Sequence, residues 1–425
     1  MSATTRINVA GPGLSSPLRV GLIGFGCVGQ GLYDILQHLP ETGVEVTRIA
    51  VKNPTKLRSV PAGRFEFNAD ALVADSGLDV LVEVIDDPTE AFRLVTAALT
   101  RGRRVVTANK AMVACHLPEL IALQREHGGI LLYEAAVCGS IPVIRTLESY
   151  FSAEPLHAVS GIFNGSSNYV LTRMTEESSS YAEALAEAQA LGFAETDPAL
   201  DMAAFDPRSK AVILAAHALG LLVCPDDVLN LGIENITAAD VQYARQHGYK
   251  IKVVAGLQRL NGGRAAVLVT PQLVAPDSPL YGVEREGNGV VIDVAFAGRQ
   301  FLQGKGAGGH PTGSAVLADL IALRQGYRYA YSRLGPLLTS APAEEIELEV
   351  YLRGIPAKLL AKLELLEGPE NAEGYVIGFA RASRLLKHRD ELRKAGAFVI
   401  RTGQVRPVSL PDAARTTREL TNQLA

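Results

Sequence analysis

Apolar residues in the first third of the chain fall in short continuous runs: LRVGLIG, VEVTRIAV, VLVEVI, RRVVTA and ILLYEA. Stretches with helical spacing lie among them: QGLYDILQHL, PTEAFRLVTAALTRG and LPELIALQREHG. Continuous apolar strands separated by helices predict a parallel sheet covered on both faces. This alternation ends near residue 135. From about 140 to 300 the pattern turns to longer helices, SYAEALAEAQALG and SKAVILAAHALGLLV, accompanied by Val-rich runs such as YKIKVVAGLQ, AAVLVTP and GVVIDVAFAG. These predict an α+β unit with an open sheet. A glycine-rich turn, GKGAGGHPTGS, then leads into helical AVLADLIALRQG. After residue 340, strand-like IELEVYL, YVIGFARA and AFVIRTG, with helical SRLLKHRDELRKAG, predict a small separate α+β module with one helix.

Length and composition sharpen this picture only in part. A chain of 425 residues has room for two or three domains, and 48% hydrophobic with 20% charged residues is ordinary globular composition. The net charge of −4 gives no basic field for nucleic acid or an anionic membrane, and no apolar run reaches spanning length uninterrupted. Residues 1–17 lack a signal pattern and are expected to be a flexible tail. The cysteines Cys27, Cys115, Cys138 and Cys224 form no Cys-x-x-Cys pair, which argues against a disulfide framework or zinc site and for a cytoplasmic location.

Two stretches carry chemistry. Gly24-x-Gly26-x-x-Gly29 falls between a predicted strand and a predicted helix, where pyrophosphate can rest on amides at a helix N-terminus. The second strand ends AVKNPTKLR, with Lys52, Asn53, Lys56 and Arg58 and no carboxylate to grip a ribose 2′-hydroxyl. That set suits the 2′-phosphate of NADP; a solvated basic loop is the other reading. The second stretch is FAETDPALDMAAFDPRSK. Asp206 before Pro207 reads as a helix N-cap, with Lys210 one turn on. That is either a plain cap with an ion pair or a lysine held by a carboxylate at a substrate cleft, ready to protonate a carbonyl oxygen that receives hydride. Glu195 and Asp197, in the loop before, offer partners for a substrate ammonium, with loop structure the plainer reading of Asp197 and of Asp201. Lys110, in VVTANK, follows a strand whose carboxyl end should face the ligand crevice; a surface lysine opening a helix is the alternative.

These blocks, in their order, resemble the homoserine dehydrogenase family from about residue 18 to about residue 325: GFGCVG, VVTANKAM, EAAVCGSIPVI, GIFNGSSNYVLTRM, GFAETDP and GKGAGGHPT. The resemblance implies an α/β protein: a Rossmann-type nucleotide domain (18–135, regained at about 303–330), an α+β catalytic and dimerisation domain (136–302), and a C-terminal module (340–425). It implies reversible NAD(P)H-dependent reduction of L-aspartate 4-semialdehyde to L-homoserine in threonine and methionine biosynthesis, by a homodimer. NADP(H) is expected over NAD(H). Carried onto this chain, Lys210 matches the proton donor, Asp206 and Glu195 match substrate partners, and Lys110 matches a second lysine near substrate and nicotinamide. The cofactor positions are Gly24, Gly26, Cys27, Val28, Gly29, Lys52, Ile85, Lys110 and Gly308. EAAVCGSIP matches a loop that holds sodium through Glu134 and the carbonyls of Val137, Gly139 and Ile141, an oxygen set suited to a hard cation.

The chain departs from the family pattern in three places. Asp86 and Asp87 stand where a glycine-rich turn is usual, and with Pro88 following they read as a helix cap. Ala204 replaces a glycine two residues before Asp206, and GSSN replaces GTTN. The altered turn keeps open a related dehydrogenase of another small amino aldehyde or amino acid; an inactive nucleotide-sensing relative is the other alternative. Many members of the family carry an ACT-type regulatory module at the C-terminus, and the pattern after residue 345 reads either as a diverged version or as a plain extension.

Overall fold

The structure, a computed structural model, describes residues 16–407 apart from 57, 59, 261–263, 336–345 and 373. Most of the expected N-terminal tail lies outside the described residues. The chain divides into two compact units.

The first unit comprises residues 1–109, 120–133 and 308–328. Its strands are β1 (Leu18–Ile23), β2 (Val44–Ala50), β3 (Phe65–Glu66), β4 (Val80–Glu83), β5 (Arg104–Thr107) and β6 (Ile130–Leu132). They form one sheet in the order β3-β2-β1-β4-β5-β6, parallel at every pairing. Helices α1 (Cys27–His38), α2 (Ala69–Ala74), α3 (Pro88–Leu99) and α4 (Lys110–His127) connect the strands. Helix α11 (Gly309–Arg324), from much later in the chain, packs along α1. β4 is buried throughout and β1 at all but Arg19, which is why these segments read as unbroken apolar runs. Asp87 caps α3 by accepting the Thr89 and Glu90 amides, with Pro88 as the first helical residue, as expected from the sequence. The strand order reverses between β1 and β4, and crevices outside the carboxyl ends at such a point bind ligands in open α/β sheets.

The second unit comprises residues 110–119, 134–307 and 329–425. It holds α5 (Val143–Arg145), α6 (Gly165–Glu177), α7 (Tyr181–Ala190), α8 (Ala199–Met202), α9 (Phe205–Leu219) and α10 (Ala238–Gln246). Strands β7 (Leu156–Ile162), β9 (Lys250–Leu260), β10 (Arg264–Val274), β11 (Gly287–Val294) and β12 (Gly298–Lys305) pair antiparallel in the order β12-β11-β7-β9-β10. The short strand β8 (Leu229–Asn230) lies parallel to β10. Helix α9 is buried along almost its whole length against this sheet, so its apolar residues lie on all faces.

The C-terminal segment differs from the sequence expectation in two ways. It contains β13 (Ile346–Arg353), α12 (Ala357–Leu363), β14 (Leu366–Ala372), β15 (Tyr375–Arg381), α13 (Ala382–Lys394) and β16 (Phe398–Pro407). That is a βαββαβ unit with two helices rather than one; α12 spans only seven residues, too short for a clear period. Nor is it separate. β16 continues the sheet at the edge of β10, and Leu229, Leu231, Ala266 and Leu268 share one buried cluster with Leu348, Leu385 and Leu392.

Candidate active site

Helix α9 carries Asp206 and Lys210 on one side, one turn apart. The expectation that Asp206 caps this helix is not met. The helix begins at Phe205, its N-cap is Ala204, and Asp206 lies inside the first turn with its carboxylate turned to other side chains. Oδ1 accepts from Lys110 Nζ at 2.8 Å; Oδ2 accepts from Lys210 Nζ at 2.8 Å and from Asn164 Nδ2 at 2.9 Å. Lys210 Nζ also donates to the Phe163 carbonyl at 2.6 Å, so two of its three N–H bonds have fixed acceptors. Lys210 and Asp206 are buried; Lys110 is 42% exposed.

Burial opposes ionisation of Asp206, but the charges of Lys210 and Lys110 and the bond from Asn164 outweigh it and hold its pKa well below the usual carboxylate range. Asp206 in turn raises the pKa of Lys110 against the effect of burial. Asp206 is therefore an anion at neutral pH, bonded to both lysines, and Lys110 beside it is an ammonium. Asp201 belongs to the same cluster, contrary to its reading as loop structure: its Oδ1 accepts from Asn164 Nδ2 at 2.7 Å. Burial and then the neighbouring Asp206 charge raise its pKa.

Asn164 is the group that sequence reasoning passed over. It caps α6 by accepting the Ser167 amide at 2.8 Å, and its amide nitrogen bridges the two aspartates. An Asn directly before GSSN was a visible cap signal; its second role depends on α8 and α9 arriving from 37 and 42 residues away. α6 is itself anchored by Asn168, which donates to the carbonyls of Val283, Arg285 and Gly287, and by buried Lys252, which donates to Asn168 Oδ1 and Val283 O.

Ala204 has φ 61° and ψ 28°, a left-handed conformation that costs an alanine about 1–2 kcal/mol. The alanine that replaces the family's glycine thus takes the glycine-like conformation itself. Glu195 is exposed in the preceding loop, and Asp197 accepts the Ala199 amide at 3.1 Å.

In the first unit, Gly24 has φ +103°, and a Cβ there would lie 2.8 Å from the Val84 carbonyl. A Cβ at Gly29 would lie 2.4 Å from the Gly24 oxygen, whereas at Gly26 it would meet nothing within 4 Å. Gly26 is the N-cap of α1, with no side-chain cap and no acid in the first turn. Cys27 is exposed and Val28 half-buried there. The turn therefore offers helix-terminal amides to open space, which fits a dinucleotide pyrophosphate. Past β2, Lys52 and Lys56 are exposed, while Arg58 donates to the carbonyls of Lys56 and Asn53 at 2.8 Å each, bracing the loop. Glu66, paired with β2, is bound to Arg48. Gly308 is the N-cap of α11 with φ +114°.

Glu83, at the carboxyl end of β4, is a further missed residue. It is fully buried, accepting the Ile85 amide at 2.7 Å and the Thr107 hydroxyl at 2.5 Å. Thr107 Oγ accepts the Asn109 amide, and Asn109 Nδ2 donates to the Ile85 carbonyl. Burial pushes the Glu83 carboxyl up to about 7. An acid inside VLVEVI gives no sign in the sequence that it ties two turns together.

The loop after β6 is buried from Glu134 to Gly139, with Cys138 and Gly139 both at positive φ. The Glu134 carboxylate accepts the Ile144 and Arg145 amides at 2.9 and 2.8 Å, and the Ile141 carbonyl accepts the Val143 amide at 2.8 Å. These donors are all oxygens, the class of ligand that a hard monovalent cation takes. Among the described residues, no group of three or more His, Cys, Asp or Glu gathers to hold a metal.

A parallel dinucleotide-binding sheet together with a buried lysine–carboxylate cluster defines an NAD(P)-dependent oxidoreductase acting on a CH–OH group. The family models described as homoserine dehydrogenase, NAD binding domain, and as homoserine dehydrogenase match residues 24–134 and 142–321. A homoserine dehydrogenase of Corynebacterium glutamicum is 39% identical over 323 residues, 73% of each chain. Among solved structures, a homoserine dehydrogenase from Thiobacillus denitrificans superposes with a TM-score of 0.78 at 29% identity, covering 92% of this chain and 99% of that one. A hyperthermophilic archaeal homoserine dehydrogenase in complex with NADPH gives 0.63 at 27% identity, covering 74% and 99%. The chain belongs to the homoserine dehydrogenase family.

Proposed function

We propose that the chain interconverts L-aspartate 4-semialdehyde and L-homoserine, with NADPH preferred over NADH, as a cytoplasmic homodimer serving threonine and methionine synthesis. The observation that carries the assignment of roles is the single buried carboxylate of Asp206 shared by two lysines. Reduced nicotinamide, when bound, supplies the hydride that goes to the aldehyde carbon. Lys210, fixed by Asp206 and the Phe163 carbonyl, aims its third N–H at the aldehyde oxygen and gives up a proton as charge develops there. Lys110 adds a second positive charge near the same oxygen. Asp206 keeps both lysines placed, and Glu195, exposed in its loop, receives the substrate ammonium.

Exposed Lys52 and Lys56, with Glu66 beside β2 bound to Arg48, support the NADP preference. The cofactor contacts fall to Gly24, Gly26, Cys27, Val28, Gly29, Ile85, Lys110 and Gly308. Glu134 with the carbonyls of Val137, Gly139 and Ile141 would hold sodium, which would stiffen that loop. Exposed Phe296 and Phe301, beside and on β12, support pairing of two copies through the sheet. The βαββαβ topology supports an ACT-like assignment of the C-terminal module. Among the described residues no helix is long and apolar enough to cross a membrane. The deciding experiment follows NADPH absorbance with the semialdehyde as substrate. Oxidation that needs this substrate supports the reading, and none at saturating enzyme overturns it.

A further inference from the structure

The start of α9 carries the reactive groups but follows a residue in an unfavoured conformation, Ala204. Something must hold that backbone. The Ala203 carbonyl accepts Asn230 Nδ2 at 2.7 Å, and Asn230 is buried. Asn230 Oδ1 in turn accepts from Arg389 Nη1, on α13 of the C-terminal module. Arg389 and Arg208 both lie against the ring of Phe205, the first residue of α9, with guanidinium carbons 5.6 and 4.8 Å from its centroid. A second strut runs alongside, from the Ile233 amide to the Met202 carbonyl at 2.8 Å. Residues 203 to 205 are thus gripped at a carbonyl and at a ring by groups arriving from β8 and α13.

We propose that Asn230 and Arg389 are positioning residues for the reaction, through which α13 fixes the entry of α9 and hence the placement of Asp206 and Lys210. The proposal rests on the roles assigned to those two residues. Asn230 is suited to the task because one side chain offers both an acceptor to Arg389 and a donor to Ala203. Arg389 is suited because its planar group can donate at one edge and stack with its face. The C-terminal module then acts as a brace for the catalytic helix whether or not it binds an effector. The segments around 230 and 389 share no motif in the sequence, yet α13 packs on β8 in the shared core and brings them together.

The test uses the full chain and steady-state kinetics with homoserine and NADP. Arg389→Ala should lower kcat about tenfold while the dissociation constant for NADP stays within twofold. Arg389→Lys, which keeps a donor, should regain part of the loss. Measured in the reductive direction, with the semialdehyde and NADPH, looser placement of the two lysines lets Asp206 take up a proton more readily and should move the acid limb of the kcat/KM profile to higher pH, which a general loss of folded protein would not do. Asn230→Asp keeps the acceptor for Arg389 and the shape of the side chain but loses the donor to Ala203, and should match the loss in kcat. A kcat within twofold of the parent for both Arg389→Ala and Asn230→Asp overturns the inference, as does a loss without movement of the acid limb. A parent chain that turns over neither homoserine nor the semialdehyde would instead sink the reading beneath it.

Discussion

Between Gly24 and Gly29 the features that matter belong to the backbone, whereas around Asp206 they belong to side chains. The glycine turn spans six consecutive residues, and its requirements are absences: no Cβ at Gly24 or Gly29 and nothing over Gly26. The lysine cluster draws on α4, α6, α8 and α9, and Asn164, Asp201, Asp206, Lys110 and Lys210 touch only in the folded chain. A site made of amides should tolerate side-chain changes at its margin. A site made of buried charges should not, because removing one partner strands another. The contrast can be tested from its strongest point downwards.

Lys210→Ala should lower turnover by about three orders of magnitude, the range of general acid catalysis. NADPH binding, read by fluorescence titration, should stay within about threefold, since the turn at 24–29 is untouched. A variant retaining a tenth of the parent turnover would remove Lys210 from the proton transfer and leave the cluster as structure.

Glu83 is the exception inside the backbone-made region. Its pKa stands at about 7 against an ordinary 4.5, so between these values the folded chain binds more protons than the unfolded one. Stability therefore falls as pH rises from about 4.5 to about 7 and levels off above. The whole change is about 3 kcal/mol for this group. Glu83→Gln removes the titration: urea melts at pH 5 and pH 8 should show the variant gaining on the parent by about that amount. Parallel behaviour of the two proteins across this range would show that Glu83 is ionised throughout.

The same contrast explains what was legible in the sequence. The parallel sheet could be read because strands buried on both faces are continuous apolar runs, and the glycine turn because its constraints are consecutive. Lys110, Lys210 and Asp206 stand out on spacing and family likeness, yet the sequence reads Asp206 as a cap because Asp-Pro usually starts a helix. The helix starts earlier, since Ala204 takes the left-handed turn and frees the carboxylate for two lysines. Asn164 and Glu83 stayed hidden: one acts across 42 residues, and the other is a buried acid whose partners lie on the next strand and turn. Short α12 and the one paired position of β16 on β10, Gln272 opposite Arg401, lie below what periodicity resolves.

Lys52→Ala tests the margin of the nucleotide site. Loss of one exposed contact to a 2′-phosphate should raise KM for NADPH about tenfold, equivalent to about 1.4 kcal/mol. KM for NADH should stay the same. Equal effects on both nucleotides would assign Lys52 to the solvated loop.

The smallest effect separates backbone from side chain within the cluster itself. Ala204→Gly relieves a left-handed alanine, worth about 1–2 kcal/mol. Against this stand the extra freedom of glycine in the unfolded chain, about 0.5–1 kcal/mol, and the lost contacts of one buried methyl, about 0.8 kcal/mol. The terms nearly cancel, so stability should change by less than about 1 kcal/mol. Ala203→Gly provides the control. Ala203 is also buried but has φ −84°, so the same two costs apply with no relief, and a loss of about 1–2 kcal/mol is expected. Urea denaturation of the pair gives the answer directly. If Ala204→Gly costs as much as Ala203→Gly, the strain at the entry of α9 is not there, and neither is the need for a brace.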